Sequence, residues 1–256
     1  MASPDRTALA DRLFESRARG DVSPAWLAGL SLDEALDVQL ALLERKLAAG
    51  EKLAGWKVGL TSNRARTALG VDARPFGHVL ASHLFASGAR VPAASIAKPS
   101  IEPELCFEIG RRLAGPGLSR DQVRAGLARV CAGFELNERR AGSTRPDFGA
   151  FVTDGLTQWG VVRGSGVTLA EAGDLNAVHC ALLRDGEKVY EGVSRDELDD
   201  HLESLSRLAA VLGAHGRALE PGQVVITGAF ARFDAAAGQR WRAEYGGVGE
   251  VEVGFT

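Results

Sequence analysis

Glu102 and Glu104 stand one residue apart in the run Ile101-Glu102-Pro103-Glu104-Leu105-Cys106-Phe107-Glu108-Ile109. On a strand, residues at that spacing turn their side chains to the same face. A third carboxylate, Glu135, interrupts a second apolar run from Ala128 to Leu136, where an unpaired charge is costly to bury. Three carboxylates on two strands make the oxygen-rich set that a hard divalent cation such as Mg2+ or Mn2+ prefers. A solvated acidic strand face, or an ion pair of Glu135 with Arg139 or Arg140, would explain the same residues. Within the first run, Leu105, Phe107 and Ile109 are expected to face the core, with Glu102, Glu104, Cys106 and Glu108 opposite. Pro103 cannot donate to a sheet ladder, so the segment is expected at a sheet edge or a strand entrance.

Other residues carry more ambiguous chemistry. Lys57 in Gly55-Trp56-Lys57-Val58-Gly59-Leu60-Thr61-Ser62 is the one charge in an otherwise apolar strand. It is either a lysine snorkelling from an edge strand or a cation beside the carboxylates, able to bind an anion or move a proton with a lowered pKa. Asp154-Gly155-Leu156-Thr157 reads as a turn before a strand, in which Asp154 and Thr157 offer hydrogen bonds to a pocket. Thr227-Gly228 ends a strand with the same ambiguity. The histidines lack metal-pair spacing, and His201, beside Asp199 and Asp200 on a capped helix, is the one to watch.

The elements that must hold these groups follow from pattern. Ser31-Leu32-Asp33-Glu34 is a capping box, and Leu32, Leu36, Leu40, Leu43 and Leu47 make one helical stripe that stops at Gly50. A helix after Pro4 carries Leu9 and Leu13. From Gly55 the texture becomes β: strands are expected at 54–60, 78–85, 101–110, 130–136 and 158–163. Ser119-Arg120-Asp121-Gln122 caps a short helix. Segments 177–183 and 188–193 flank an Asp185-Gly186 hairpin turn. Ser194-Arg195-Asp196-Glu197 is expected to cap a helix with Leu198, Leu202, Leu205, Ala209 and Leu212 on one face. The chain ends in strands at 224–227 and 240–245, then a Gly246-Gly247 turn and a last strand. Helices first, then strands with few βαβ alternations, predict an α+β fold, with residues 1–53 a helical region and 54–256 a β-rich core in one integrated unit. Gly246-Gly247-Val248-Gly249 leads into a strand, so it is a turn and not a nucleotide cradle.

Composition limits the possible functions. The 256 residues are 45% hydrophobic and 25% charged, with net charge -3, an ordinary globular balance. No basic tract suggests nucleic acid, and no apolar run approaches the ~20 residues of a membrane span. The N-terminus lacks a signal peptide's apolar core, so a cytoplasmic location is expected. Cys106, Cys131 and Cys180 are expected as buried free thiols.

Taken in order, the Lys57 segment, Glu-x-Glu, a lone Glu followed by Arg, an Asp-containing turn, Thr-Gly and a Gly-rich end resemble the 2-keto-4-pentenoate hydratase and 4-oxalocrotonate decarboxylase group of the fumarylacetoacetate hydrolase superfamily. The resemblance covers about 32–255. It implies a mixed β-roll core with the N-terminal helices packed outside, homo-oligomers, in some pathways association with a sibling enzyme, and a small 2-oxo acid substrate. It also implies Mg2+ or Mn2+ on Glu102, Glu104 and Glu135, with Lys57, Arg140, Asp154 and Thr157 in the active site. The implied chemistry is hydration of 2-hydroxypenta-2,4-dienoate to 4-hydroxy-2-oxopentanoate through a metal-stabilised enolate, or decarboxylation of a 4-oxalocrotonate-type acid. An acylpyruvate C–C hydrolase and a non-catalytic partner subunit are the further alternatives. Two segments depart from the family pattern. Thr153-Asp154-Gly155-Leu156-Thr157 stands where Ala-Asp-Asn-Ala-Ser is usual, and Leu198-Asp199-Asp200-His201 replaces a Leu-Gly-His-Pro turn.

Overall fold

A computed structural model of the chain describes residues 5–19, 27, 29–139 and 147–256. Two helices lead, α1 (Arg6–Arg19) and α2 (Leu32–Ala48). The capping box at Ser31 forms as the sequence predicts, with Ser31 and Glu34 bonding each other's backbone. The remaining elements are β1 (Leu53–Val58), α3 (Asn63–Leu69), β2 (Phe76–Leu80), β3 (Leu84–Ala86), β4 (Ala89–Val91), β5 (Ser100–Ile109), α4 (Arg120–Gly126), β6 (Leu127–Asn137), α5 (Phe148–Thr153), β7 (Gln158–Val167), α6 (Leu169–Ala172), β8 (His179–Arg184), β9 (Glu187–Val193), α7 (Ser194–Glu197), α8 (His201–Ala214), β10 (Val224–Ala229), β11 (Phe233–Asp234), β12 (Arg240–Tyr245) and β13 (Gly249–Phe255). They build two sheets. One runs β2-β1-β10-β5-β6-β7-β3, with β11 also on β5, and the other runs β4-β13-β12-β8-β9. The fold is α+β, as expected.

Strand β5 has two faces, and both are covered. Leu105, Phe107 and Ile109 join the main core with Trp56, Phe134 and Trp241. Cys106 lies on the other face in a smaller apolar cluster with Val79, Cys131, Val161, Val224 and Ile226. All three cysteines are free and buried, as expected.

Three expectations are corrected. β5 is a central strand and not an edge, with β10 and β11 on one side and β6 on the other. Pro103 is tolerated because its imide nitrogen faces the gap where β10 leaves and β11 begins. The register shifts there between Ile226 and Ala229, and Phe230 N–H donates to the Pro103 carbonyl on that same side. The missing donor therefore costs no ladder bond. The box at Ser194 opens only the one-turn α7, and Val193 at its N-cap makes no side-chain bond. The long helix starts at His201, N-capped by Asp200, because the Ser194 hydroxyl is bonded to the His201 ring instead. The 78–85 segment is also not one strand: a 3-10 turn at Ala81–His83 divides β2 from β3.

Candidate metal centre and active site

Strand pairing brings the three carboxylates together. Glu102 lies directly opposite Glu135 in the β5–β6 ladder, and Glu104 lies two residues along the same face. One oxygen from each of the three falls within 4.8 Å of the others. Glu135 is fully buried and Glu104 is 2% exposed. Glu108, the last acid of the strand, is not part of this group and pairs with Arg163 at 3.2 Å.

Among the described residues, three donors face this cluster. Lys57 Nζ donates to Glu135 Oε1 at 2.5 Å and to the Leu156 carbonyl at 3.2 Å. Gly228 N–H donates to Glu104 Oε2 at 2.7 Å. Arg232 Nε lies 3.3 Å from Glu102 Oε1. Lys57 reaches in from β1 because its cross-strand neighbour is Gly77; a Cβ there would lie 2.9 Å from Lys57 Cγ. Arg139 pairs with Asp234 and not with Glu135, and Arg140 lies outside the described residues.

These donors do not offset the burial. Desolvation, reinforced by the Glu135 and Glu102 charges, drives the Glu104 carboxyl well above the usual range. Burial also lifts Glu135 to about 7, against the pull of the adjacent Lys57. Glu135 Oε2 has no hydrogen-bond partner among the described residues. A buried carboxylate oxygen left orphaned beside two more carboxylates fits a hard divalent cation, which supplies the missing positive charge. Glu102, Glu104 and Glu135 are the residues that would hold it.

The cluster floors a cavity of about 260 Å3, which Lys57, Leu60, Thr61, Phe151, Leu156, Thr157, Leu198 and Arg232 also line. Gly155, Leu156 and Thr157 all have left-handed backbones, with φ of 77°, 60° and 64°. Such strain in two consecutive non-glycine residues persists only where the surroundings enforce it. Here it delivers the Leu156 carbonyl to Lys57 and turns the Thr157 hydroxyl to donate to Asn137 Oδ1 at 2.8 Å, while that hydroxyl accepts from Arg232 Nη2 at 3.1 Å.

Lys57, Thr157 and the three glutamates thus share one site. Asp154 does not join them. It caps α5 and, with Lys46, His78, His83 and Trp159, lines a separate cavity of about 360 Å3. That cavity is the larger, yet the carboxylate cluster lies outside it. Sequence reasoning passed over Asn137 and Arg232. The available signal for Arg232 was its position four residues past Gly228, in the turn that leaves an apolar strand.

Residues 61–256 match the family described as fumarylacetoacetate (FAA) hydrolase C-terminal. A 2-keto-4-pentenoate hydratase from Burkholderia vietnamiensis (strain G4 / LMG 22486) is 30% identical, over 97% of this chain and 96% of that protein. A 2-hydroxyhexa-2,4-dienoate hydratase from Comamonas testosteroni is 29% identical, over 89% and 87%. The solved structure of 4-oxalocrotonate decarboxylase from Pseudomonas putida G7, complexed with magnesium and adipate, superposes with a TM-score of 0.92 at 25% identity, covering 100% of this chain and 99% of that one. The chain belongs to the fumarylacetoacetate hydrolase family.

Proposed function

We propose that this member of the family is a divalent-metal-dependent lyase acting on a small 2-oxo or 2-hydroxy-dienoate acid, and that it hydrates 2-hydroxypenta-2,4-dienoate to 4-hydroxy-2-oxopentanoate. The observation that carries this reading is the orphaned Glu135 Oε2 within a buried three-carboxylate cluster that also holds Lys57. When bound by Glu102, Glu104 and Glu135, Mg2+ or Mn2+ supplies a Lewis acid for the carboxylate and 2-oxygen of such an acid.

The chain's own groups do the rest. Lys57 Nζ is held between Glu135 and the Leu156 carbonyl, which presents a fixed positive charge where negative charge grows on the substrate 2-oxygen. The same Nζ carries a proton that can be shared with that oxygen. Arg232 reaches the cavity beside Glu102, steadied by Thr157 and Ser100, and is suited to orient the incoming carboxylate. Phe151, Leu156 and Leu198 line the cavity with apolar surface, which limits bulk water around the reacting carbons. A 4-oxalocrotonate-type decarboxylase is the second reading, favoured by the 0.92 TM-score with such an enzyme. It uses the same residues, since loss of CO2 from a vinylogous keto acid calls for the same charge stabilisation at the 2-oxygen.

An ultraviolet assay with 2-hydroxypenta-2,4-dienoate and 2-oxohex-3-enedioate, with Mg2+, Mn2+ or chelator, tests both. Metal-dependent loss of the dienoate to give 4-hydroxy-2-oxopentanoate is the expected result. CO2 release from the diacid with an inert dienoate would move the assignment to decarboxylation. No metal-dependent turnover and no thermal stabilisation by either ion would overturn the metal-centred reading.

A further inference from the structure

His201 is a buried imidazole that the proposed chemistry does not use. It is 1% exposed. Its Nε2 lies 2.7 Å from Ser194 Oγ, and its Nδ1 lies 2.7 Å from Thr227 Oγ1. The Phe107 ring stands against it, with centroids 5.6 Å apart. Burial holds the ring neutral, with its pKa lowered to about 4, so one ring nitrogen donates and the other accepts, matching two hydroxyls that can each do either.

Thr227 is followed by Gly228, whose N–H is the backbone donor on Glu104 Oε2. That peptide has little room to find its position unaided. Gly228 has φ of 120°, and a Cβ there would fall 1.8 Å from Thr61 Oγ1. The segment before His201 is tied down as well. Asp199 N–H donates to the Thr61 carbonyl at 2.7 Å, and the Asp199 carboxylate binds Arg66 and Arg74. The start of α8 therefore grips both the Thr61 loop and the end of β10, two segments that pack together at Gly228.

We infer that His201 is a positioning residue for the metal centre: through Thr227 it fixes the Gly228 N–H on Glu104, and Ser194 fixes the imidazole. This rests on the reading of Glu102, Glu104 and Glu135 as metal ligands. Groups behind a ligand hold its orientation, and their loss weakens metal binding by roughly 10–100-fold.

The test separates the two ring nitrogens. Asn mimics Nδ1 and keeps the bond to Thr227, whereas Gln mimics Nε2 and keeps only the bond to Ser194. The affinity of the metal-free full chain for Mn2+ is measured by calorimetric titration and by the Mn2+ resonance spectrum, alongside circular dichroism. His201→Asn is expected within about 3-fold of wild type, and His201→Gln about 10-fold weaker with an altered Mn2+ spectrum. Thr227→Val, which removes the hydroxyl at constant shape, should weaken Mn2+ binding like His201→Gln, and it decides the matter if the His201 variants do not fold. Equal Mn2+ affinity in His201→Asn and His201→Gln, or wild-type affinity in Thr227→Val, would overturn the inference. Failure of the wild-type chain to bind Mn2+ would instead overturn the metal site on which it rests.

Discussion

At Glu104 and Glu135 the energetics of the folded chain oppose ionisation. In the metal-free protein Glu135 titrates near 7 in place of its ordinary 4.5. The folded chain therefore keeps a proton through that window that the unfolded chain has lost, so this group's stabilisation is complete below the lower value and is lost as pH rises through the upper one. His201 acts in the opposite sense: its folded value of about 4 lies below the ordinary 6.5, so stability is lost as pH falls through that range. A bare melting curve against pH mixes the two effects. The increment caused by Mg2+ isolates the carboxylates, because binding must expel their protons. That increment is expected to grow as pH rises from about 5 to about 7.5, by differential scanning fluorimetry at fixed Mg2+; a flat increment would remove Glu135 from the ligand set. Glu104→Gln keeps the shape of the side chain but cannot ionise. It should abolish the Mg2+ increment and turnover while leaving the metal-free protein at least as stable as wild type at pH 8. Lys57→Ala should retain Mn2+ binding and lower kcat by roughly 100-fold or more, the contribution of a positioned proton donor, in steady-state assays of both variants.

The elements show which features were legible in the sequence. The Glu-x-Glu spacing put two carboxylates on one strand face, while Glu135 joins them through the β5–β6 register, which sets it opposite Glu102 and which no local spacing gives. Capping boxes at Ser31 and Ser119 form as read, and the Asp185-Gly186 turn closes its hairpin. Two of the misreadings share a cause: a local signal was satisfied by a partner elsewhere in the fold. Pro103 sits in a central strand because the β10–β11 bulge lies beside it. Ser194 gives up its cap to bond His201, and Asp154 faces a neighbouring cavity while Thr157 faces the site. Arg232 and Asn137 belong to the site through hydrogen bonds to Thr157 that no spacing rule announces. Gly228 is the sharpest case, since Thr-Gly reads as an ordinary strand end, yet the position tolerates only glycine. Gly228→Ala combines a left-handed φ with a 1.8 Å clash, and should cost about 1–3 kcal/mol of stability. It should also weaken Mn2+ binding by withdrawing the N–H from Glu104. Adding Thr61→Ala removes the 1.8 Å contact but leaves Leu198 Cδ2 at 2.9 Å, the Cβ of residue 61 at 3.0 Å and the φ strain, so partial recovery of the melting temperature, with Mn2+ affinity still low, is the expected result.

Across the whole molecule, α2 connects the N-terminal helices to the candidate site. Its Ala35, Leu36 and Leu43 belong to the main core, while Val38 and Leu42 pack with Ala10 and Leu13 of α1 in a second cluster. Between these faces lies buried Gln39, whose amide donates to the Phe76 carbonyl on β2 at 2.9 Å and to the Val152 carbonyl on α5 at 2.6 Å. β2 carries Gly77, which makes room for Lys57, and α5 leads directly into the left-handed turn that holds Lys57 through Leu156. Gln39 thus braces both supports of Lys57 from outside the site. Gln39→Leu removes two donors, but it also removes an Oε1 that has no partner among the described residues, and the Val152 carbonyl still accepts from Gly155 N–H. The stability loss should therefore fall toward the lower half of the ~1–3 kcal/mol range for a lost buried hydrogen bond, and lower the melting temperature by about 2–4 °C per kcal/mol in a chain of this size. If α2 only covers the core, kcat should stay at the wild-type value at temperatures well below the melt. If it braces Lys57, kcat should fall several-fold while Mn2+ affinity is unchanged, because the carboxylates stand on β5 and β6 and do not depend on α5; a fall in Mn2+ affinity of equal size would show that the variant disturbs the whole sheet.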